Sequence, residues 1–130
     1  MANPSDVNAE AGIREKNTVY YEGRVRTMPG FMKSLQMLYS SDDVQRVTYV
    51  DTQELPVVSV DVHGMKCWQA EQFINNIINL FRNPLRLIVI HGYNHGTAIL
   101  DMVRNKLQNN RISARYEDMY NRGITYLAIA

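Results

Sequence analysis

The chain has 130 residues, of which 45% are hydrophobic and 21% are charged, and its formal net charge at pH 7 is +1. A chain of this length supports one compact domain with an appended arm, and its composition is typical of globular proteins. No apolar stretch approaches the roughly 20 residues that a membrane-spanning helix needs. We therefore expect no membrane partner.

Cysteine content and the N-terminal sequence bear on the compartment in which the protein works. Cys67 is the single cysteine and forms no internal disulfide, which agrees with a reducing environment. The first twelve residues, MANPSDVNAEAG, lack the basic and then apolar pattern of a secretory signal. Together these features predict a cytoplasmic protein.

Three parts of the chain differ in composition. Residues 1–17 are small and polar without apolar periodicity, so we expect them to be disordered. Residues 18–55 combine β-prone and helical stretches and are predicted to be a partly structured arm of unassigned role. Its aromatic and methionine side chains make this arm a candidate for self-association. Residues 56–130 have the clearest periodic patterns and are predicted to form the main domain.

Charge is unevenly distributed along the chain. Residues 1–55 contain six Lys/Arg and eight Asp/Glu, whereas residues 56–130 contain eight Lys/Arg and five Asp/Glu. A basic bias of this size can attract a polyanion, but on charge alone it is more typical of a solvated surface without a partner. The basic side chains considered are Arg82, Arg86, Arg104, Lys106, Arg111, Arg115 and Arg122.

Strands and helices alternate after Pro56 and predict an α/β (α+β) fold of two layers. A right-handed connection through the first helix makes the first two strands parallel. Two helices are enough to cover one face of a four-stranded mixed sheet, and the other face stays open or is partly covered by the arm. The predicted β-α-β-α-β-β elements are strand Val57–His63, helix Met65–Phe81, strand Leu85–His91, a helix to about Asn109, and strands Ile112–Glu117 and Ile124–Ile129.

The end of the first strand presents a carboxylate and an imidazole on one face. Side chains alternate across a strand, so Asp61 and His63 point away from the valine face. A carboxylate beside an imidazole can fix its tautomer and support proton transfer, which makes both residues candidate catalytic groups. The alternative is an ordinary solvated strand face.

A glycine-containing loop follows the second strand and is a candidate phosphate-binding site. Glycine allows sharp turns and close approach to a ligand, and free N–H groups at a helix start attract anions. Thr97 can instead serve as a helix cap, with Gly96 as a plain turn residue. The Walker and dinucleotide-binding patterns are absent, which argues against a nucleotide cofactor. The candidate substrate-binding residues are His91, Gly92, Tyr93, Asn94, His95, Gly96 and Thr97.

The chain's three histidines raise the question of a metal site. The spacing of His63, His91 and His95 matches no zinc signature, and no cysteine pair accompanies them. We therefore predict no metal ligands and no required cofactor, and nothing in the spacing indicates a divalent metal. Cys67 is expected to pack within a helix rather than to act as a nucleophile.

Tyrosines interleaved with arginines favour a single-stranded or irregular nucleic acid as partner. Tyr93 lies within the glycine-containing loop, where its ring can stack on a base. Tyr116, Tyr120 and Tyr126 add aromatic surface near basic residues. Each tyrosine taken alone is more typical of simple packing.

Three segments resemble motifs of the Smr (small MutS-related) domain family, over residues 57–130 and in the same element order. Val60-Asp61-Val62-His63-Gly64 is similar to the family's "LDLHG" opening. The stretch from Ile88 to Gly96 resembles its second motif, H-G-x-G-x-G, and Asn121 to Leu127 resembles its last turn and strand. Two positions depart from the pattern: Asn94 stands at the middle glycine, and Gln69 stands where an acidic residue often precedes the helix alanine.

The resemblance implies a two-layer fold like the C-terminal domain of translation initiation factor three, with nucleic-acid binding and often endonuclease activity. Family members act on RNA, including messages on stalled ribosomes, or on single-stranded or branched DNA. Asp61 and His63 would be catalytic, and the loop from His91 would bind the substrate.

We therefore expect an endonuclease that uses acid–base catalysis without an obligatory metal, with Asp61 orienting His63. In this hypothesis His91 and His95 steady the phosphate or the leaving group. A second hypothesis is a non-catalytic nucleic-acid or ribosome-binding module on the same surface. A third is a small-molecule or protein-interaction domain whose function lies in the arm.

Overall fold

The computed structural model describes residues 18–21, 24–27, 30–94 and 96–130. The disorder predicted for residues 1–17 falls outside the described residues, and so does the predicted role of His95. The chain forms two compact units, Met1–Val44 and Gln45–Ala130.

The first unit contains the strands and the helix that its sequence patterns predict. Strand β1 (Thr18–Tyr21) pairs antiparallel with strand β2 (Arg24–Thr27). Helix α1 spans Gly30–Leu38 and is followed by the short helix α2, Ser41–Val44. In α1, Phe31, Met32 and Leu35 are buried, while Met37 and Leu38 are exposed. The self-association predicted for this region stays a prediction.

The second unit is built from alternating strands and helices around one sheet. A π-helical segment, Met102–Lys106, directly continues the helix Ala98–Asp101. The elements are β3 (Val47–Val50), β4 (Val57–Asp61), α3 (Cys67–Leu80), β5 (Leu85–Ile90), α4 (Ala98–Asp101), β6 (Ile112–Glu117) and β7 (Ile124–Ile129).

The sheet has five strands in the order β3-β4-β5-β7-β6. Strands β4 and β5 are parallel, as the right-handed connection predicts, and every other neighbouring pair is antiparallel. The mixed α/β class is confirmed, but the prediction of four strands is wrong. Val47–Val50, which the sequence assigned to the arm, hydrogen-bonds along β4 and becomes an edge strand.

The core of the second unit lies between one face of the sheet and α3. The apolar stripe predicted for α3 is confirmed, because all of its members are buried. Alternate residues of the strands face it, and they too are buried. The stripe consists of Ala70, Phe73, Ile74, Ile77, Ile78 and Phe81, and the strand residues are Val58, Val60, Leu85, Leu87, Val89, Leu127 and Ile129.

The second helix departs from the prediction because its hydrogen bonding changes along its length. After the first α-turn the segment widens, and the N–H of Leu107 donates to the Met102 carbonyl at 2.7 Å. The extra residue in this turn brings Met102 into the core beside Val103, whereas Ile99 and Leu100 stay partly exposed. Among the described residues, no helix is both long and apolar enough to cross a membrane.

Candidate functional site

Asp61 and His63 form a close pair at the end of β4. The Asp61 Oδ1 atom lies 2.5 Å from Nδ1 of His63 and also accepts the His63 backbone N–H at 3.1 Å. Val62, between them, is fully buried, while the His63 side chain is 66% exposed. The carboxylate and the imidazole come together as expected, but the predicted strand to His63 is too long: β4 ends at Asp61, and the contact forms in the turn that follows. Their catalytic role stays a prediction.

Arg46 holds the backbone of this pair in place. Its Nη1 donates to the carbonyl of Asp61 at 3.0 Å and to the carbonyl of His63 at 3.1 Å. The Arg46 carbonyl in turn accepts the Asp61 N–H at 2.9 Å. The sequence missed this residue because it precedes β3, in the part assigned to the arm.

A cavity of about 640 Å³ lies between the two His-Gly steps of the chain, His63-Gly64 and His91-Gly92. His63 and Gly64 line one side, and the loop after β5 lines the other. Of the candidate substrate-binding residues in that loop, the described ones all line this cavity. They are His91, Gly92, Tyr93, Asn94, Gly96 and Thr97.

Two glycines allow the loops around the cavity to meet. Gly92 has φ +72°, a conformation that other residues rarely adopt, and a Cβ there would lie 3.5 Å from the His63 Cβ. A Cβ on Gly123 would lie 3.1 Å from the Gly92 Cα, closer than an ordinary contact. The Gly123 carbonyl accepts the N–H groups of His91 and Gly92 at 2.9 and 3.1 Å. The loop after β5 is thus fixed to the turn between β6 and β7.

His91 lies inside the protein, at 5% exposure, and both of its ring nitrogens are engaged. Nδ1 is 2.8 Å from the Gly92 carbonyl oxygen, and Nε2 is 2.8 Å from the Thr125 hydroxyl. The same hydroxyl accepts Nε–H of Arg104 at 3.0 Å, and Arg104 forms an ion pair with Glu117. In this conformation neither ring nitrogen of His91 is left to bind a substrate.

The hydrogen bonds around His91 define its tautomer and favour its neutral form. A carbonyl oxygen only accepts, so Nδ1 carries the hydrogen and Nε2 accepts from the Thr125 hydroxyl. Burial lowers the pKa of His91, and the Arg104 charge lowers it further, while the hydrogen bond to Gly92 opposes both. A buried neutral imidazole suits a structural link between β5 and β7.

Thr97 and Asn94 lie exposed on the cavity side of the loop. Thr97 is the N-cap residue of α4, and its carbonyl accepts the Asp101 N–H at 2.8 Å, but its side chain makes no capping hydrogen bond. The interpretation that its hydroxyl caps the helix is therefore wrong. Its side chain lines the cavity, where a ligand can reach it. Asn94 replaces the glycine expected from the resemblance and presents an amide at the same edge.

Several arginines that the sequence offered as polyanion contacts are used inside the fold. Arg111 donates from Nη1 to the carbonyls of Ile78 and Phe81, at the end of α3. Arg115 donates to the carbonyls of Val103 and Leu107 at the end of the π-helical segment. These guanidinium groups satisfy helix carbonyls that have no partner within the helix. The number of basic residues in 56–130 is therefore larger than the number whose charge can contact a ligand.

The turn between β6 and β7 is organised by Asp118. Its carboxylate accepts the backbone N–H groups of Tyr120 and Asn121 at 3.0 and 2.7 Å and the Tyr126 hydroxyl at 2.5 Å. The Tyr126 hydrogen bond, followed by that from Tyr120, lowers the pKa of Asp118, and the same carboxylate raises the pKa of Tyr126. Tyr126 is therefore a structural tyrosine.

No cluster of three metal-ligating side chains occurs among the described residues. Cys67 lines the cavity, and its Sγ lies 3.6 Å from the Ala98 carbonyl oxygen. Gln69, the second departure from the family pattern, accepts the Lys66 N–H at 3.1 Å and thereby caps α3. An amide oxygen performs this capping as a carboxylate does.

The chain was compared with models of known protein families and with curated protein sequences, and neither comparison gives a match. The geometry of the site therefore carries the functional argument.

Proposed function

We propose that this protein is a cytoplasmic, nucleic-acid-binding endonuclease of the Smr type that cleaves RNA or single-stranded or branched DNA. The observation that carries the proposal is the 2.5 Å contact between Asp61 and His63, with His63 at the wall of a 640 Å³ cavity. An exposed imidazole oriented by a carboxylate is a recurrent device for proton transfer. The proposal includes the two-layer arrangement of the C-terminal domain of initiation factor three.

The chemistry assigns one role to each nitrogen of His63. Nδ1 is held by Asp61, so Nε2 is the atom that exchanges protons. Nε2 takes the proton of the attacking hydroxyl, from water or a ribose 2′-OH, as its oxygen bonds to phosphorus. The bond from phosphorus to the leaving oxygen breaks, and that oxygen takes a proton from solvent. Asp61 stabilises the imidazolium that forms.

The loop after β5 supplies the phosphate contacts in this proposal. Gly92 lets the backbone pass close to His63, and Thr97 and Asn94 present a hydroxyl and an amide to the same cavity. Donors at fixed positions stabilise the charge that develops on phosphate oxygens during attack. We assign His91 to holding this loop, because its ring is engaged with Thr125 and Gly92.

The test is a cleavage assay on labelled RNA, single-stranded DNA and branched DNA, each with a chelator present. The wild-type protein is expected to cut at least one substrate, and the double variant Asp61→Ala/His63→Ala is expected to bind it without cutting. Equal cleavage by the two proteins would contradict the mechanism. Salt-sensitive binding without any cleavage by the wild type would favour the non-catalytic binding module instead.

A further inference from the structure

Tyr93 combines exposure with a fixed neighbour. Tyr93 is 42% exposed at the edge of the cavity, and the guanidinium carbon of Arg122 lies 5.4 Å from the centroid of its ring. A guanidinium over an aromatic face is attracted by the ring's electrons and restricts how the ring moves. Arg122 covers one face of the ring, and the exposed remainder is available to a ligand.

The loops that carry these two side chains are fastened to each other. Gly92, next to Tyr93, donates its N–H to Gly123, next to Arg122, at 3.1 Å. The Arg122 carbonyl also accepts Nη2–H of Arg104 at 3.3 Å. Asp118 braces the start of the same turn through two backbone N–H groups. The ring and the guanidinium are thus positioned before any ligand arrives.

This pair also lies beside the proposed catalytic group. A Cβ on Gly92 would be 3.5 Å from the His63 Cβ, so the backbone that precedes Tyr93 passes directly along His63. His63 and Tyr93 line the same cavity. A planar group on the Tyr93 ring would therefore lie close to a phosphate held at His63.

We propose that Tyr93, supported by Arg122, is a stacking site for one unpaired nucleobase next to the phosphate that is cleaved. This inference rests on the proposed function and names its substrate class as nucleic acid with an unpaired base at the cut site. Bases within a duplex already stack on their neighbours, whereas an unpaired base has a free face for an aromatic side chain. The site therefore selects single strands, loops and branch points over uninterrupted duplex.

The other tyrosines near this turn lack that support. Tyr120 is 93% exposed, and no contact of its ring with an arginine or another ring is found among the described residues. A ring without support loses more side-chain freedom when it stacks, so it contributes less to binding. The Tyr126 hydroxyl donates a hydrogen bond to the Asp118 carboxylate, which fixes its ring. Stacking is thus assigned to Tyr93 alone among these three.

The test measures binding of fluorescent single-stranded and duplex oligonucleotides of equal length to the His63→Ala protein, in which cleavage is stopped. Adding Tyr93→Ala is expected to weaken single-strand binding by about tenfold or more, the effect typical of losing one base–aromatic stack. Tyr93→Phe keeps the ring and is expected to retain binding. Tyr120→Ala, the matched control, is expected to change it by less than about twofold.

A second arm locates the base. One abasic nucleotide is placed at successive positions of the single strand, and the loss of affinity is measured with and without Tyr93→Ala. One position is expected to matter in the His63→Ala protein and to have no further effect once Tyr93 is removed, because both changes delete the same contact. Equal losses at that position in both proteins would overturn the stacking site.

The outcomes separate this inference from the proposed function. If Tyr93→Ala leaves single-strand affinity unchanged while the wild type cleaves, the stacking site is wrong and the nuclease stands. If Tyr93→Ala removes single-strand affinity selectively but the wild type cleaves nothing, the stacking site stands and the nuclease is wrong. Equal losses for single strand and duplex, or no binding to either by the His63→Ala protein, would overturn the stacking site.

Discussion

The two His-Gly steps have the same sequence pattern and opposite environments. His63 is exposed and shares a hydrogen bond with a carboxylate, whereas His91 is buried with both ring nitrogens bonded inside the fold. The difference follows from where each strand ends: His91 directly follows β5 and continues the buried series of Leu85, Leu87 and Val89. His63 lies two residues beyond the end of β4, in the exposed turn that follows buried Val62. One pattern thus yields a candidate proton carrier and a structural link.

The largest expected effect comes from His63. We predict that His63→Gln lowers the rate of cleavage by about 100- to 10,000-fold, the range typical of losing a general base. Because the side chain is exposed, the thermal unfolding midpoint should stay close to that of the wild type. Single-turnover cleavage and thermal melting measure the two effects. A rate reduced in proportion to lost folded protein would contradict the catalytic assignment.

Disrupting the buried hydrogen bonds between His91, Thr125 and Arg104 is expected to lower the stability of the fold. We predict that Thr125→Val lowers the free energy of unfolding by about 1–3 kcal/mol, because Arg104 and His91 each lose a buried hydrogen-bond partner. Urea denaturation measures the change. The same substitution at Thr97, which is exposed and whose side chain makes no capping hydrogen bond, should leave the free energy of unfolding nearly unchanged. Equal effects at the two threonines would show that the buried link contributes little.

Arg46 should act as a positioning residue for Asp61 and His63. We predict that Arg46→Gln lowers cleavage by about tenfold at unchanged substrate affinity, because the Asp61–His63 backbone loses its clamp. Arg46→Lys should recover part of the rate. Arg86, an exposed arginine of β5, gives the matched control, and Arg86→Gln should leave the turnover rate as it is. A loss of affinity with normal turnover would point to substrate contact instead.

His91 should also make the stability of the protein depend on pH. The folded-state pKa of His91 is lowered, so the unfolded chain binds a proton first as the pH falls. The stability that neutral His91 contributes is therefore present above its ordinary pKa of about 6.5 and is lost as the pH falls through the folded-state value. His91→Gln should flatten this part of the stability profile, measured by urea denaturation across the acidic range. An unchanged profile would contradict the buried neutral assignment.

The smallest expected effect concerns the arginines. We predict that Arg122→Gln reduces the slope of log affinity for a single strand against log salt by about 0.7, the value typical of one lost phosphate contact. Arg111→Gln should leave that slope unchanged, since its guanidinium is used by carbonyls at the end of α3. Equal slopes for the wild type and Arg122→Gln would show that Arg122 neutralises no phosphate and acts only as support for the Tyr93 ring.

Much of the fold could be predicted because its local patterns agree with its packing. The α3 stripe and the parallel pairing of β4 with β5 follow from apolar spacing and chain order. A short strand over Val44 to Val50 was expected from the sequence, but it was assigned to the arm. Its place as the fifth strand of the sheet was missed because that place depends on pairing with β4 and not on a local pattern. The π-helical segment was missed because helical periodicity assumes a constant turn.

The candidate site could be predicted in part, and the limit lies in long-range contacts. The juxtaposition of Asp61 and His63 is local and was expected. The burial of His91 was hidden because apolar residues occupy both faces of β5, so alternation gave no signal there. The burial of Thr125 could have been predicted, because this polar residue lies on the same face of β7 as the apolar residues Leu127 and Ile129. The partners of Arg46 and Arg104 depend on the tertiary fold and leave no sequence pattern.

The most direct test of the account is chemical rescue at the two histidines. Because His63 is exposed, His63→Gly leaves a place that imidazole from solution can reach, next to the carboxylate of Asp61. Added imidazole should restore part of the lost cleavage in His63→Gly and none of it in His91→Gly. Cleavage by His63→Gly that does not respond to imidazole, with substrate binding intact, would contradict the assignment of His63 as the proton carrier.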